Sequence, residues 1–314
     1  MSPATEAARP GTDAASAKHS SAAGSWFTHA LDKLHITHHA EAAVDLDKLG
    51  EEVLASVRAE LTAAGAWGDA EAAFCDPACL QRYLRARSME VTKASAMLKH
   101  TLEWRREAAV DNLRLSDYDE FIGEGWMWLA GNDDAGATVL MCRKRRTRLE
   151  EDRVENFIGF LTVLLESSVR NMRNGTEKWT WVFDMAGYDS RNSPRIDVTL
   201  RVLQLVASHY PERLAKVFIL DAPTIFWVLF KAISPFLDPV TKTKIEFVYS
   251  KDVKKAEEAA RAPARAAAAA SGVDAMIELA DGPEARFLPY MPFYKAPFDK
   301  EALLKKFRSL GWKE

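Results

Sequence analysis

Beyond residue 117 the sequence alternates between short runs suited to strands and long stretches suited to helices. Four runs rich in branched and aromatic residues have the length of β-strands: 138–142, 179–183, 216–220 and 244–249. Residues 153–171 and 193–210, which lie between them, have the spacing of amphipathic helices. Parallel strands need long crossover connections, usually helices. The alternation therefore predicts an α/β fold with a mixed or parallel sheet flanked by helices.

A helical region precedes this alternation. Leu46, Leu49 and Val53 recur at three- and four-residue spacings, and two further helices are predicted over 78–87 and 91–106. We predict four parts: a disordered tail over 1–40, a small helical domain over 41–115, an α/β domain over 116–286 with an Ala-rich insertion at 256–270, and a C-terminal extension over 287–314. Within the insertion, we expect Pro263 to interrupt the helix that alanine favours.

Composition excludes several classes of protein. Lys and Arg total 42 against 45 Asp and Glu, which argues against a nucleic-acid binder driven by bulk positive charge. The strongly apolar stretch 217–230 is interrupted by Asp221 and Pro223 and is shorter than the roughly 20 residues that span a bilayer. Three cysteines indicate a reducing compartment. We expect a cytoplasmic protein without a secretory signal; the Ser- and Ala-rich start makes an organelle transit peptide the alternative, against which Glu6 and Asp13 count.

Common enzyme motifs are missing. The sequence has no G-x-S-x-G, G-x-x-x-x-G-K-[ST], G-x-G-x-x-G or H-E-x-x-H, which argues against common hydrolases and nucleotide enzymes. His35, His38 and His39 have helical spacing but lie in the predicted tail, so we interpret them as solvated. Cys75 and Cys79 lack the second pair that a zinc site needs, so packing is favoured. We expect no enzyme activity, no metal and no cofactor.

Some charged residues have two interpretations. The apolar stripe of the 78–87 helix leads from Leu80 and Tyr83 to Arg87, so Arg87 is predicted to face the interior. An interior guanidinium needs an anion, which is either a carboxylate of the α/β domain or a ligand phosphate.

Five cations in six positions follow the first predicted strand: Arg143, Lys144, Arg145, Arg146 and Arg148. Such a run is usually a solvated loop, but at a bilayer it would contact anionic lipid.

The segment 224–245 combines an apolar stretch with a candidate phosphate site. Residues 224–233 are apolar on nearly every side of a helix, which indicates either a buried helix or one that moves between protein and lipid. Asp238 and Pro239 then predict a helix start. This places Thr241 in a first turn, whose free N–H groups favour an anion, and Lys244 on the same face.

These motifs resemble the CRAL-TRIO lipid-binding family, and within it the phosphatidylinositol transfer proteins of the yeast secretory-pathway type. The resemblance covers about two-thirds of the chain and rests on RYLRAR at 82–87, EWRRE at 103–107, FDMAG at 183–187, HYPERL at 209–214, DAP at 221–223 and PFLDPVTKTKI at 235–245. It implies the CRAL-TRIO fold, in which a helical N-terminal domain packs on an α/β domain whose apolar pocket is closed by a mobile gate helix.

The resemblance also implies site residues. The gate helix would be 224–233, with these apolar residues: Ile225, Phe226, Trp227, Leu229, Phe230 and Ile233. The lipid headgroup would be held by Arg87, Glu212, Thr241 and Lys244. The two cations and the threonine suit phosphate oxygens, while a glutamate accepts hydrogen bonds from inositol hydroxyls.

The sequence departs from the family at one strand. Members that also bind phosphatidylcholine have small hydroxyl residues where this chain has Trp179 and Trp181, which argues against that lipid and makes the two indoles a candidate second-ligand pocket. We expect a monomeric phosphatidylinositol carrier that contacts membranes transiently, serves transfer or a lipid kinase, and binds no nucleic acid. The alternatives are a carrier of another hydrophobe, similar to a tocopherol, retinoid or sterol, and an interaction module in membrane trafficking.

Overall fold

The computed structural model of the chain describes residues 45–146, 149–270 and 286–314. The predicted tail over 1–40, with His35, His38 and His39, lies outside the described residues, as does Arg148. The helices are α1 (Leu46–Ala63), α2 (Asp69–Phe74), α3 (Pro77–Ala86), α4 (Val91–Glu107), α5 (Asp119–Glu124), α6 (Val154–Asn171), α7 (Ile196–His209), α8 (Thr224–Ile233), α9 (Pro239–Thr243), α10 (Ser250–Ala270), α11 (Met291–Lys295) and α12 (Lys300–Ser309). The strands are β1 (Met127–Asn132), β2 (Thr138–Arg143), β3 (Trp179–Asp184), β4 (Leu214–Leu220) and β5 (Ile245–Val248).

The first helices pack through the stripes that the sequence predicts. Val53, Val57 and Leu61 of α1 share a core with residues of α3 and α4. The side chain of Asp76 caps α3 by accepting a hydrogen bond from the amide of Cys79 at 2.6 Å. Cys75 and Cys79 are buried in this core, and burial raises the pKa of both thiols to about 12. Both therefore act as packing residues at neutral pH.

The strands form one mixed sheet in the order β1-β2-β3-β4-β5. β1 is antiparallel to β2, and β2, β3, β4 and β5 are parallel. The α/β fold predicted from the sequence is thus confirmed, with four of the five strands at the predicted places. β1 was missed because its sequence, MWLAGN, includes Ala, Gly and Asn, which have low strand propensity.

The two faces of the sheet carry different neighbours. Leu140, Trp181 and Val217 are in register and share one face, on which Thr138 donates to the carbonyl of Ser168 in α6 at 2.8 Å. We call this the cleft face. On the other face, the ring of Phe218 lies 5.3 Å from that of Phe287, in the segment after residue 285.

The C-terminal segment 286–314 belongs to the core of the sheet domain. Phe307 is fully buried, and the indole N–H of Trp312 donates to the hydroxyl of Ser167 in α6 at 2.7 Å. One prediction is wrong: α10 continues through Pro263 to Ala270. Proline removes one backbone hydrogen bond, but the alanines on both sides have the highest helix propensity, which maintains the helix.

Candidate functional site

The cleft face is only partly covered near the start of β4. This strand has a neighbour on each side, yet its first four residues are half-buried. Val217, Ile245 and Phe247 form the partly covered floor, and all three are half-buried apolar residues on the same face. Trp227 of α8 stacks on Phe247 with ring centroids 4.4 Å apart, and Phe230 lies 5.3 Å from it. We call this floor with the two rings of α8 the apolar cleft.

α8 has apolar side chains toward both the sheet and the solvent. Of the six predicted gate residues, Phe226 and Ile233 are buried, Trp227, Leu229 and Phe230 are half-buried, and Ile225 is exposed. Val228 is 72% exposed. The interpretation of α8 as a fully buried core helix is therefore wrong, because one apolar row of the helix remains in water.

Exposed apolar residues continue beyond α8. Val228 and Ile225 are followed by Phe236 and Val240, which are 64% and 60% exposed. We call these four residues the apolar patch. Lys231 and Lys242 are exposed in the same segment. The surface therefore combines apolar side chains with positive charge.

Three predicted headgroup residues lie at the edge formed by the amino ends of β3, β4 and β5. Glu212 comes just before β4 and Lys244 just before β5. The carbonyl of Lys244 accepts a hydrogen bond from the amide of Val217 at 2.8 Å, which fixes Lys244 beside the cleft floor. Thr241 belongs to α9, which leads into β5. Because parallel strands begin at the same edge, these side chains share one end of the sheet.

Arg87 does not face the interior, which corrects its prediction. It is exposed, and its guanidinium donates to the carbonyl of Ala86 at 3.0 Å. The helix ends at Ala86, and Arg87 has a non-helical backbone with φ −124°, so it no longer continues the stripe.

Thr241 requires a correction as well. Its amide donates to the carboxylate of Asp238 at 2.8 Å, so a ligand contact by Thr241 depends on its hydroxyl.

Glu212 adopts a left-handed backbone, with φ 58°. Its side chain is half-buried, and its carboxylate lies 3.3 Å from the ammonium of Lys178, which precedes β3. Lys178 is not among the residues that the sequence motifs predict for the site. The signal for it is its position: it directly precedes β3, and β3 pairs with β4, the strand that follows Glu212.

The buried guanidinium of α3 is Arg82. It pairs with Glu177, which also binds Arg85 at 3.1 Å. Arg213 donates to the carbonyl of Glu177 at 3.2 Å, and burial followed by the charge of Arg82 lowers the pKa of Arg213. A carboxylate of the α/β region therefore pairs with Arg82, and not with Arg87, for which such a partner was one of the two predicted alternatives.

A second set of contacts joins α4 to the end of α7. The ring of His209 stacks on Trp104 with centroids 4.1 Å apart, and its Nδ1 lies 3.2 Å from the hydroxyl of Thr101. Burial, together with the charges of His100 and Arg105, lowers the pKa of His209 to about 4. The neutral imidazole therefore belongs to the packed interface.

Trp179 and Trp181 lie on the cleft face of β3, with exposures of 0% and 8%. Among the described residues, neither indole nitrogen has a hydrogen-bond partner. Trp181 is in register with Val217 of the cleft floor. Two buried donors thus lie beside the apolar cleft.

The cationic run that begins with the last residue of β2 has different surroundings along its length. Arg143 is buried and donates to the carbonyls of Tyr294 and Ala296 at 3.2 and 3.0 Å, so its prediction as a membrane contact is wrong. Arg143 lies two residues after Met141 in β2 and therefore on the same buried face of the strand, where the C-terminal segment covers it. Lys144 is half-buried and Arg145 exposed, while the side chain of Arg146 lies outside the described residues.

Comparison with known families matches both regions of the chain. The CRAL/TRIO domain matches residues 123–262, and the CRAL/TRIO N-terminal domain matches residues 49–100. The fold is similar to the crystal structure of Sfh5, with a TM-score of 0.53 and 18% identity over 66% of this chain and 82% of that chain. Across residues 45–146, 149–270 and 286–314, no helix has the length and apolar composition to cross a membrane.

Several curated proteins are similar over about half of this chain. A CRAL-TRIO domain-containing protein of Schizosaccharomyces pombe is 31% identical, covering 54% of this chain and 17% of that protein. The phosphatidylinositol transfer protein PDR17 of Saccharomyces cerevisiae is 29% identical, covering 54% of this chain and 51% of that protein. Patellin-3 of Arabidopsis thaliana is 26% identical, covering 54% and 37%. The chain thus spans about half or less of these relatives' length.

Proposed function

The chain belongs to the CRAL-TRIO family of lipid-binding proteins, and on that premise we propose that it binds phosphatidylinositol and transfers it between membranes or presents it to a lipid kinase. The single observation that supports this most is the half-buried apolar floor of Val217, Ile245 and Phe247 beneath α8. This floor ends at the sheet edge that carries Glu212 and Lys244. A lipid with apolar chains and an anionic polyol headgroup matches both parts. The name of PDR17 gives additional support.

Headgroup contacts should decide which lipid is bound. Burying a methylene stabilises by about 0.8 kcal/mol relative to water, but a lipid leaving a bilayer exchanges one apolar surrounding for another. The acyl contribution therefore nearly cancels, and polar contacts set selectivity. Lys244, Arg87 and the hydroxyl of Thr241 suit the phosphate, and Glu212 suits inositol hydroxyls.

Exchange of lipid would occur at a membrane surface. In this proposal the apolar patch and Lys231 and Lys242 contact an anionic bilayer, and α8 moves away from Phe247 to open the apolar cleft. Apolar side chains and cations together favour such peripheral binding. The protein would act as a non-enzymatic peripheral membrane carrier.

The test loads purified protein from vesicles of mixed phospholipids and identifies the retained lipid by mass spectrometry. We expect phosphatidylinositol in the unaltered protein and its loss in Glu212→Ala and Lys244→Ala. Lys254→Ala is the matched control, because Lys254 is an exposed lysine of α10 and belongs neither to the headgroup residues nor to the surface assigned to the membrane. If no inositol lipid is retained, or if the site variants behave like the control, the proposal is refuted.

A second candidate ligand is an uncharged hydrophobe with a hydrogen-bond acceptor, such as a sterol-like or tocopherol-like molecule. The buried indole donors of Trp179 and Trp181 favour it, because an unpaired buried donor costs about 1 to 3 kcal/mol, which a ligand acceptor would offset. Trp181→Phe keeps an aromatic ring and removes the donor. It should reduce retention of such a molecule and leave phosphatidylinositol retention unchanged; equal retention of the hydrophobe would refute this candidate.

A further inference from the structure

Lys178 and Glu212 lie before neighbouring strands and hold each other. The ammonium of Lys178 donates to the backbone carbonyl of Glu212 and lies 3.3 Å from Oε2 of its carboxylate. Glu212 has the left-handed φ of 58°, which is uncommon for a residue with a side chain. A single ammonium therefore contacts both the backbone and the functional group of a residue in an unusual conformation.

The surrounding hydrogen bonds fix the two chain segments but not this carboxylate. The amide of Trp179 donates to the carbonyl of Arg213 at 2.8 Å, and the guanidinium of Arg213 donates to the carbonyl of Glu177 at 3.2 Å. Within residues 45–146, 149–270 and 286–314, the contact that reaches the carboxylate of Glu212 comes from Lys178. Because the direction of a carboxylate decides which hydroxyl it can accept from, Lys178 is placed to control ligand choice.

We propose that Lys178 is a positioning residue of the headgroup site. It holds the Glu212 carboxylate where hydroxyl donors of a polyol headgroup reach it. This inference rests on the proposed function and deepens it, since it assigns the selection of the polyol to Lys178 and Glu212 together. Binding of the phosphate is left to Lys244 and the other donors, so loss of Lys178 should change which lipid is retained more than how much lipid is retained.

The test measures the ratio of phosphatidylinositol to phosphatidylmethanol retained from equimolar vesicles. Phosphatidylmethanol has the same phosphodiester charge but no headgroup hydroxyl, so the ratio reports the polyol contact. We expect Lys178→Met to lower the ratio about tenfold, the lower end of the effect that loss of a hydrogen-bonded partner behind a metal ligand has on metal affinity. Lys178→Arg should retain most of the ratio, because a guanidinium also donates to a carboxylate.

Lys216→Met is the matched control. Lys216 pairs with Glu246, its side chain is 36% exposed against 37% for Lys178, and it lies on the sheet face opposite the cleft. The control should leave the ratio unchanged. In a Glu212→Gln background, Lys178→Met should cause no further fall, because its effect passes through that carboxylate.

The outcomes separate this inference from the proposed function. If the unaltered protein retains phosphatidylinositol but Lys178→Met leaves the ratio unchanged or matches Lys216→Met, the inference is overturned and the proposed function stands. If the unaltered protein retains no inositol lipid, the proposed function fails and the inference fails with it. Should Lys178→Met not fold, Lys178→Ala, which also removes the donor, must show the fall, and an unchanged ratio there counts equally against the inference.

Discussion

Replacing Phe236 by serine should weaken binding of the protein to anionic vesicles. Phe236 follows α8 in the apolar patch and is 64% exposed, so most of its ring is in water when the protein is free in solution. If the patch enters the interface of a bilayer, this ring is removed from water. A serine at the same position has little apolar area to bury.

The size of the effect follows from the exposed area. A phenylalanine buries about 200 Å² when it is fully enclosed, so the exposed share of Phe236 is about 130 Å². At about 25 cal/mol per Å², full removal from water would stabilise binding by about 3 kcal/mol. Since an interfacial side chain loses only part of its contact with water, we take about half of this value, about 1.5 kcal/mol, which corresponds to about a tenfold change in affinity.

The assay is vesicle co-flotation over a range of lipid concentrations, with vesicles containing phosphatidylserine. Phe236→Leu is the control, because it keeps an apolar side chain and should retain most of the affinity. Both variants should have the same urea unfolding midpoint as the unaltered protein, since the residue is exposed. Equal affinities of the unaltered protein and Phe236→Ser would refute the role of the apolar patch in membrane binding.

Three further predictions concern stability, measured by urea unfolding. Burial lowers the pKa of His209 to about 4, so between pH 7 and pH 5 only the unfolded chain gains this proton, and stability should fall by about 1 to 2 kcal/mol after allowance for solvent screening. His209→Phe, which keeps a ring against Trp104, should lose that part of the pH dependence; an unchanged dependence would contradict the assignment. Phe307→Ala should cost about 3 to 5 kcal/mol, because the ring is fully buried, and a loss below about 1 kcal/mol would show that the C-terminal segment is not part of the core. Glu177→Gln should cost about 2 kcal/mol by leaving Arg82 buried beside a neutral partner, and no loss would mean that Arg82 finds another anion.

The arginines of RYLRAR show that helical periodicity alone does not identify which arginine is buried. The helical stripe through Leu80 and Tyr83 predicts an inward Arg87, but α3 ends at Ala86 and the next residue turns away. Arg82 is buried instead, because Glu177, nearly a hundred residues later, supplies its carboxylate. Helical periodicity predicts side-chain direction only for residues within the helix, whereas the partner of a buried charge depends on the assembled fold.

The same limit applies to the headgroup edge. The amino acid at position 212 and its motif are visible in the sequence, but its left-handed backbone and its contact with Lys178 are not. Those features arise because parallel strands bring residues before β3 and β4 to one edge. No local pattern encodes a contact between residues 34 positions apart.

The sequence by itself determined most of the elements, their order and the family, but not β1, because strand propensity, helical spacing and motifs are local properties of the chain. The boundaries of α8 and most strands followed from it. Only the tertiary structure decided which side of α8 stays in water, which arginine is buried and which cation holds Glu212. The physical reason is that burial and charge pairing depend on residues distant in sequence, which meet only when the sheet and its helices have packed.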